Sequence, residues 1–220
     1  MAAKSSGTRI EKPIDYYSLP RRDILALLPS SNLRRVLEIG CGTGETGELL
    51  KKEYGVVFVT GVDIENAAIE VARKKLDDVY LANIEEVDLP LELQSYDLIL
   101  LGDVVEHLID PWNVIKKLRL YLRPHGYLLI SIPNIQHWRN IVNLILGRWE
   151  YSGSGMLDIA HLRFFTKDTI LRLLEDAGFC IQMIRGNSGP LSNLLNKFTF
   201  GLLSGYLSFR YFILAERSDS

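Results

Sequence analysis

The fold of this chain is decided by one stretch, V-L-E-I-G-C-G-T-G at residues 36–44. A short apolar run leads into three alternating glycines, and a helical pattern over residues 45–54 follows directly. Glycine lets a backbone turn tightly and approach a ligand closely, and the first turn of a helix presents free amide groups. The stretch therefore predicts a strand, a ligand-binding loop and a helix in direct succession.

The same alternation of apolar runs and helical patterns continues along the rest of the chain. Further strands are predicted at 56–62, 78–81, 96–101, 127–132, 179–184 and 207–215, with helices between them. Such a pattern is typical of βαβ units. We predict an α/β fold with a Rossmann-like, doubly wound sheet of seven strands and helices on both faces. Most strands should be parallel, with a reversed terminal strand.

The composition argues against a nucleic-acid-binding, a metal-binding and a membrane-inserted protein. The 220 residues are 47% hydrophobic and 24% charged, as in an ordinary globular domain, and the net charge of −2 disfavours nucleic acid as a partner. The two cysteines, Cys41 and Cys180, have no partner nearby in sequence, which suits a cytoplasmic location and predicts no metal site. The apolar stretch 191–215 contains Lys197 and Arg210, so we expect no stable membrane insertion.

The glycines alone leave two classes of ligand open. Residues 42–47 fit G-x-G-x-x-G, and Asp63 follows at the distance typical of a ribose contact, as in an NAD-dependent oxidoreductase. However, Glu38 and Glu45 place two carboxylates beside the loop. They would repel a pyrophosphate and attract the ammonium and sulfonium groups of S-adenosylmethionine. Electrostatics therefore favour the methyl donor, bound either by an enzyme or by a protein that binds it without catalysis.

Several motifs carry a resemblance to a known family. V-L-E-I-G-C-G-T-G resembles motif I of the class I S-adenosylmethionine-dependent methyltransferases, and G-V-D-I-E at 61–65 resembles their second motif. N-I-E at 83–85 aligns with the adenine-side motif, where the family usually has Asp. Y-Y-x-x-x-R at 16–21, D-V-V-E-H-L-I-D-P at 103–111, S-I-P-N at 131–134 and H-L-R-F-F-T at 161–166 resemble one subgroup, the bacterial methyltransferases associated with glycosyltransferases.

The resemblance implies S-adenosylmethionine as the cofactor and supplies roles for individual residues. Asp63 would accept both ribose hydroxyls, and the adenine would contact either the Asn83 side chain or the Ile84 backbone. The complete set predicted to bind the cofactor is Glu38, Gly40, Cys41, Gly42, Gly44, Asp63, Ile64, Asn83, Ile84 and Gly102. We expect one methyltransferase domain over residues 1–220, with 1–30 as an N-terminal helical cap and 134–166 as a lid or acceptor-side insertion.

Two histidines are candidates for the chemistry on the acceptor. A hydroxyl acceptor must lose a proton, and histidine has a pKa near neutrality. His107 comes just after the fourth predicted strand, near Glu106, and His161 follows a Gly/Ser-rich loop. We predict both as catalytic residues. The structural alternative is that Glu106 and His107 brace the loop. For His161, and also for Arg163, the alternative is a salt-bridged structural role with Asp158.

The predicted acceptor-binding residues are Tyr17, Arg21 and Arg163. An arginine such as Arg163 can clamp a phosphate or carboxylate with two hydrogen bonds, and the resemblance suggests that Tyr17 and Arg21 fold over the donor pocket. Packing on the sheet edge is the alternative for the tyrosine and Arg21. The segment 138–149, with arginines among apolar residues, either lines a pocket or contacts a lipid surface, although burial against the lid is the plainer expectation. The expected partner is a small-molecule or glycan/lipid-linked acceptor, and the oligomeric state is not predicted.

Overall fold

The structure, a computed structural model, describes residues 18–29, 32–189, 198 and 203–218. Its strands are β1 (Arg35–Ile39), β2 (Phe58–Asp63), β3 (Asp78–Leu81), β4 (Tyr96–Gly102), β5 (Leu122–Pro133), β6 (Phe179–Asn187) and β7 (Arg210–Arg217). Its helices are α1 (Arg22–Leu25), α2 (Glu45–Tyr54), α3 (Asn66–Ala72), α4 (Pro111–Arg119), α5 (Trp138–Ile145), α6 (Lys167–Asp176) and α7 (Ser204–Leu207). A short 3-10 helix covers Val105–His107.

The strands form one seven-stranded sheet in the order β3-β2-β1-β4-β5-β7-β6. Neighbours from β3 to β5 are parallel, whereas β7 pairs antiparallel with both β5 and β6. The predicted fold class, with its reversed strand next to the end of the sheet, is therefore confirmed. The last strand begins at Arg210 rather than at residue 207, because residues 204–207 form α7. The helix predicted between the last two strands lies almost wholly outside the described residues.

Alternate side chains of the central strands enter two separate cores, one on each face of the sheet. Leu37 and Ile99 pack on the face covered by α4 and α6, while Val36 and Leu98 pack on the face covered by α1, α2 and α3. Because successive side chains of a strand point to opposite faces, a strand buried on both faces reads as a continuous apolar run. This is why the runs in the sequence locate the strands.

The parallel register brings the carboxyl ends of the central strands together. Ile39 at the end of β1 lies beside Val62 of β2 and Leu101 of β4, and Gly102 lies beside Ser131 of β5. The loops that follow these strands therefore meet at one edge of the sheet, where doubly wound folds bind their ligands.

Residues 134–166 leave the sheet after β5 and return to it before α6. Asn134 and Phe165 form an isolated parallel bridge, and the Ile135 amide donates to the Phe165 carbonyl oxygen at 3.0 Å. Thr166 then begins α6 with a capping box that it forms with Thr169. The two ends of this excursion are therefore joined to each other at the edge of the sheet.

Within the excursion, α5 and the residues after it expose a large apolar surface. The exposed side chains are Trp138, Val142, Leu144, Ile145, Leu146, Trp149 and Tyr151. The expectation that this segment is buried against a lid is thus wrong for these residues. Within the described part of the chain, no helix combines the length and the apolar character needed to cross a membrane.

Candidate functional site

The loop after β1 adopts a conformation that depends on its glycines. Gly40, Gly42 and Gly44 have φ values of 70°, 52° and 80°, in the left-handed region that other residues avoid. A Cβ on Gly40 would also lie 2.5 Å from Cγ2 of Val104, the second residue after β4. The loop therefore packs directly against the β4 side of the site, and α2 begins at its end.

Asp63, at the end of β2, holds this loop in place. The residue is only 8% exposed, and its carboxylate accepts hydrogen bonds from the Gly42 amide at 2.8 Å and the Glu65 amide at 2.9 Å. Each carboxylate oxygen can accept a further hydrogen bond. The predicted ribose residue thus lies against the glycine loop, as its role requires, and Ile64 beside it is half exposed.

Glu38 is buried beneath the loop, and its surroundings differ from the expected ones. Burial raises the pKa of Glu38 to about 8, although hydrogen bonds from the Thr46 side chain and the Gly47 amide oppose the rise. The carboxyl is therefore mostly protonated at neutral pH when no cation lies next to it. The other carboxylate of the electrostatic prediction, Glu45, is paired with Lys75 at 2.5 Å. Negative charge beside the loop is thus weaker in the ligand-free chain than predicted.

The remaining predicted cofactor residues are placed around this loop and on the neighbouring strands. Burial raises the pKa of the Cys41 thiol, so this side chain is neutral. The Asn83 amide is engaged inside its own turn, since Nδ2 donates to Glu86 at 2.8 Å and Oδ1 accepts from the Glu85 amide at 3.1 Å. A side-chain contact to adenine would compete with these bonds. Ile84 is buried beside this turn.

Arg21 reaches across the carboxyl ends of β4 and β5. Its guanidinium donates to Asp103 Oδ2 at 3.0 Å and to Ser131 Oγ at 3.1 Å, and Arg210 donates to the same Asp103 oxygen at 2.8 Å. A Cβ on Gly102 would lie 3.1 Å from Arg21 Nη1, so glycine leaves room for this contact. The sequence did not indicate Arg210 or Ser131 as partners. The other predicted residue of this segment, Tyr17, lies outside the described residues.

The two predicted catalytic histidines meet around a buried glutamate. Glu106 is 1% exposed, neither of its carboxyl oxygens has a hydrogen-bond partner beyond residue 106 itself, and Oε1 lies 3.9 Å from His161 Nε2. The His107 and His161 rings are 4.8 Å apart between centroids. Burial and the nearby Asp103 carboxylate raise the pKa of Glu106 well above its usual range. A hydrogen bond with its own backbone, Arg210 and Arg21 oppose this rise. Arg21 also lowers the pKa of Glu38, so it lies between the glycine loop and this cluster.

Backbone contacts hold both imidazoles in place. His107 Nδ1 lies 3.0 Å from the Ala160 carbonyl oxygen, and His161 Nδ1 lies 3.2 Å from that of Met156. Because a carbonyl only accepts, each ring donates from Nδ1, and the neutral form of such a ring carries its lone pair on Nε2. The Leu162 and Arg163 amides donate to the Glu106 carbonyl oxygen at 2.8 and 3.0 Å, which brings the 161–163 segment to the 3-10 helix.

The sequence analysis predicted no metal site, yet this cluster has the donors of one. Glu106, His107 and His161 each offer a ligand atom, and these atoms lie within 4.8 Å of one another. Two of the ligands are neighbours in sequence, whereas His161 belongs to a distant loop. No sequence motif relates the spacing of these residues to a metal site. The sequence could therefore indicate each histidine separately, but it could not show that both lie next to the same carboxylate.

Arg163 is engaged with the protein itself. It donates to the carbonyl oxygens of Ile109 and Leu162, and its guanidinium lies 6.0 Å from the centre of the Trp112 ring. This arrangement favours a structural role over the predicted acceptor clamp. The remaining histidines lie elsewhere: His125 is exposed and paired with Glu216, and His137 is buried against Phe209.

Comparison with known proteins identifies the family. The methyltransferase domain family matches residues 14–182. Ubiquinone biosynthesis O-methyltransferase of Bradyrhizobium diazoefficiens is 30% identical over 193 residues, which cover 83% of this chain and 70% of the relative. Trans-aconitate 2-methyltransferase of Rhizobium leguminosarum bv. trifolii is 32% identical over 133 residues, which cover 59% of this chain and 50% of that protein. The chain thus matches about half the length of this second relative.

A solved structure gives independent support for the fold. The SAM-dependent methyltransferase from Archaeoglobus fulgidus superposes with a TM-score of 0.64 at 23% identity, over 84% of this chain and 86% of the other. The family match decides against the dinucleotide-dependent class that the glycine pattern alone left open. The chain belongs to the class I S-adenosylmethionine-dependent methyltransferases, and S-adenosylmethionine is its cofactor.

Proposed function

We propose that this chain transfers the methyl group of S-adenosylmethionine to an oxygen or nitrogen atom of a small-molecule or glycan-related acceptor. The observation that carries the proposal is the position of Arg21. It touches Asp103 and Ser131 at the carboxyl ends of β4 and β5 and acts electrostatically on both Glu38 and Glu106. The donor loop and the histidine cluster are therefore parts of one site.

On the donor side, the predicted cofactor residues would each meet one part of the molecule. The donor ammonium would lie near Glu38, which then ionises, and the ribose hydroxyls would meet Asp63. The free amides at the start of α2 would take the donor carboxylate. The loop glycines would leave space for the donor, with Gly102 and the Arg21 side chain packed against it at the edge of the site. Either Ile84 or Asn83 would border the adenine.

On the acceptor side, His107 and His161 would serve the loss of the acceptor proton. His161 Nε2 faces the buried Glu106, and the His107 ring lies beside that of His161, next to the end of β4. The methyl of a sulfonium is already activated, so alignment of the acceptor with the C–S bond supplies much of the catalysis. The acceptor atom forms the new bond to the methyl carbon, the C–S bond breaks, and its electron pair stays on sulfur.

The nature of the acceptor is suggested by three features. The subgroup motifs resemble bacterial methyltransferases associated with glycosyltransferases, and the two relatives above are named for small-molecule substrates or pathways. The apolar surface of α5 is flanked by Arg139 and Arg148, as in segments that rest on anionic lipid. We propose a lipid-linked sugar as the acceptor and a cytoplasmic location. Residues 134–166 would be the acceptor-side insertion of a single domain. Residues 1–30 would be its cap, of which only 18–29 belong to the described part of the chain.

Calorimetry and a transfer assay would test the proposal. S-adenosylhomocysteine should bind to the purified chain and NAD should not, and labelled methyl from S-adenosylmethionine should enter one of a panel of saccharide and lipid-linked acceptors. Binding of NAD without binding of S-adenosylhomocysteine would refute the enzyme class. Donor binding without transfer to any acceptor would instead favour the non-catalytic alternative.

Surface variants would test the lipid-linked part of the proposal. Leu144→Ser with Ile145→Ser should lower transfer to a lipid-linked acceptor in vesicles and leave transfer to its water-soluble headgroup unchanged. Leu93→Ser is the matched control, because Leu93 is equally apolar and exposed but lies outside the excursion. Equal losses on both acceptors, or no loss on either, would contradict a lipid-contacting role for α5.

A further inference from the structure

We propose that Glu106, His107 and His161 bind a divalent transition-metal ion, to which the reacting oxygen of the acceptor coordinates. The catalytic part of this inference rests on the proposed function, whereas ion binding does not. The site would lie where the 3-10 helix after β4 meets the 161–163 segment.

The donor set fits this class of ion. Two imidazoles and one carboxylate suit Zn²⁺ and its first-row neighbours, and three protein ligands leave positions open for an oxygen from outside the protein. The three residues offer one nitrogen from each imidazole and a carboxyl oxygen, and they come from two separate segments of the chain. The geometry of a single helix or strand does not by itself bring these three side chains together.

Glu106 supplies an independent observation. The residue is 1% exposed, and neither carboxyl oxygen has a hydrogen-bond partner beyond residue 106 itself. A carboxyl group removed from water without donors is costly, and a bound cation is one of the few arrangements that compensate it. The buried group is aimed at the two imidazoles, with Oε1 3.9 Å from His161 Nε2.

The groups behind the ligands are also those of a metal site. Histidines that bind metals commonly donate their second ring nitrogen to a backbone carbonyl or a carboxylate, which fixes the tautomer and the orientation of the ring. His107 and His161 both do so, through Ala160 and Met156. The two rings are therefore held with their lone pairs on the nitrogen that ligation requires.

The distances require only a small contraction. Two ligands of one ion with bonds of about 2.0–2.2 Å lie at most about 4.4 Å apart. The three ligand atoms lie within 4.8 Å of one another, so rotation of the Glu106 carboxyl and slight tilting of the rings would close the site.

Bound there, the ion would act as a Lewis acid on the acceptor. A hydroxyl that coordinates it loses its proton to water more readily, because the positive charge stabilises the resulting oxygen anion. That oxygen forms the bond to the methyl carbon, the C–S bond breaks, and the electron pair remains on the sulfur of the demethylated donor. The histidines then act as ligands, and the proton leaves through solvent.

Titration of the chelator-treated, dialysed chain with Zn²⁺ and with Mn²⁺ by calorimetry tests the inference. One ion per chain should bind, and Glu106→Gln and His161→Gln should each weaken the affinity by at least about tenfold. His125→Gln is the matched control, since it removes an exposed histidine far from the cluster. Circular dichroism checks that the variants fold, and the visible spectrum of the Co²⁺-loaded wild-type chain reports imidazole ligation without any variant.

Absence of saturable binding, equal affinity in all variants, or a Co²⁺ spectrum without imidazole ligands would overturn the inference, leaving an adventitious ion only. The same samples distinguish this failure from failure of the proposed function. S-adenosylhomocysteine binding is measured in the presence of chelator, so its loss would count against the methyltransferase site and not against the ion. Methyl transfer at an unchanged rate in chelator would refute the catalytic role of the ion.

Discussion

Replacing Glu38 by glutamine should abolish the pH dependence of donor binding. In the ligand-free chain the pKa of Glu38 is raised to about 8, chiefly by burial. The donor brings an ammonium group that favours the ionised form, so binding must expel the proton. The apparent dissociation constant is then inversely proportional to the ionised fraction of Glu38 in the ligand-free chain, which increases by about tenfold from pH 6 to pH 7. Affinity therefore increases by about tenfold over this range, or about 1.4 kcal/mol.

Calorimetry with S-adenosylhomocysteine would measure this effect. Titrations in two buffers of different ionisation enthalpy should show release of about one proton per chain at pH 7. Glu38→Gln cannot release it, so its affinity should be flat over this range and, at pH 8, about 10- to 100-fold weaker than that of the wild type, since a charge-assisted hydrogen bond is lost. Glu45→Gln should keep the wild-type slope, because the Glu45 charge is already paired with Lys75.

Heat stability of the ligand-free chain provides a second measurement. The folded-state pKa of about 8 exceeds the ordinary value of 4.5, so the folded chain binds the proton more tightly than the unfolded chain. This group's contribution to stability is therefore complete at low pH and decreases as the pH rises from 4.5 towards 8. A wild-type affinity that does not change with pH, or an identical slope in Glu38→Gln, would refute the reasoning.

Three further variants test other parts of the site. Gly40→Ala should lower the melting temperature, because the new Cβ meets Val104 at 2.5 Å and because φ is 70° at this position. Adding Val104→Ala removes the steric contact and should recover only part of the lost melting temperature. Full recovery would show that the backbone is not strained. Asp103→Asn should lower the free energy of unfolding by about 1.5–3 kcal/mol in urea titrations, since Arg21 and Arg210 lose their charged acceptor. Asparagine tolerates the φ of 56° at this position, so the backbone should not add to the loss. An unchanged free energy of unfolding would mean that these two ion pairs contribute little to stability. His161→Ala should abolish methyl transfer and leave S-adenosylhomocysteine affinity unchanged, and undiminished transfer would remove its catalytic role.

The sheet could be predicted from the sequence because its evidence is local. The apolar runs and the glycines of the first loop each act within a few residues, and the structure contains the corresponding strands and loop. The loop glycines and Asp63 could also be placed, since motif spacing determines which strand ends they follow. The bounds of β7 were less predictable, as a short helix precedes the strand with the same apolar composition.

The electrostatics of the site could not be predicted, because they depend on partners that are distant in sequence. Lys75 neutralises Glu45, burial holds the proton on Glu38, and the Asn83 amide is engaged in its own turn. Arg163 has the right chemistry for a clamp, but the carbonyl of Ile109 already engages it. In each case the residue type indicated which interaction the side chain can make with a ligand. The fold then determined whether the side chain is available for that interaction or is already engaged with the protein.

The closed ends of the excursion between β5 and α6 bear on how such an enzyme diversifies. The hydrogen bond from the Ile135 amide to the Phe165 carbonyl oxygen joins the two ends of this segment. The residues between them therefore form a unit that is closed at its base, which we call a cassette. A cassette of another length or composition could be exchanged between these two points while the strands and the donor loop keep their register. If residues 134–166 contact the acceptor, as proposed above, new acceptor preferences could evolve in this one segment while the donor loop is retained.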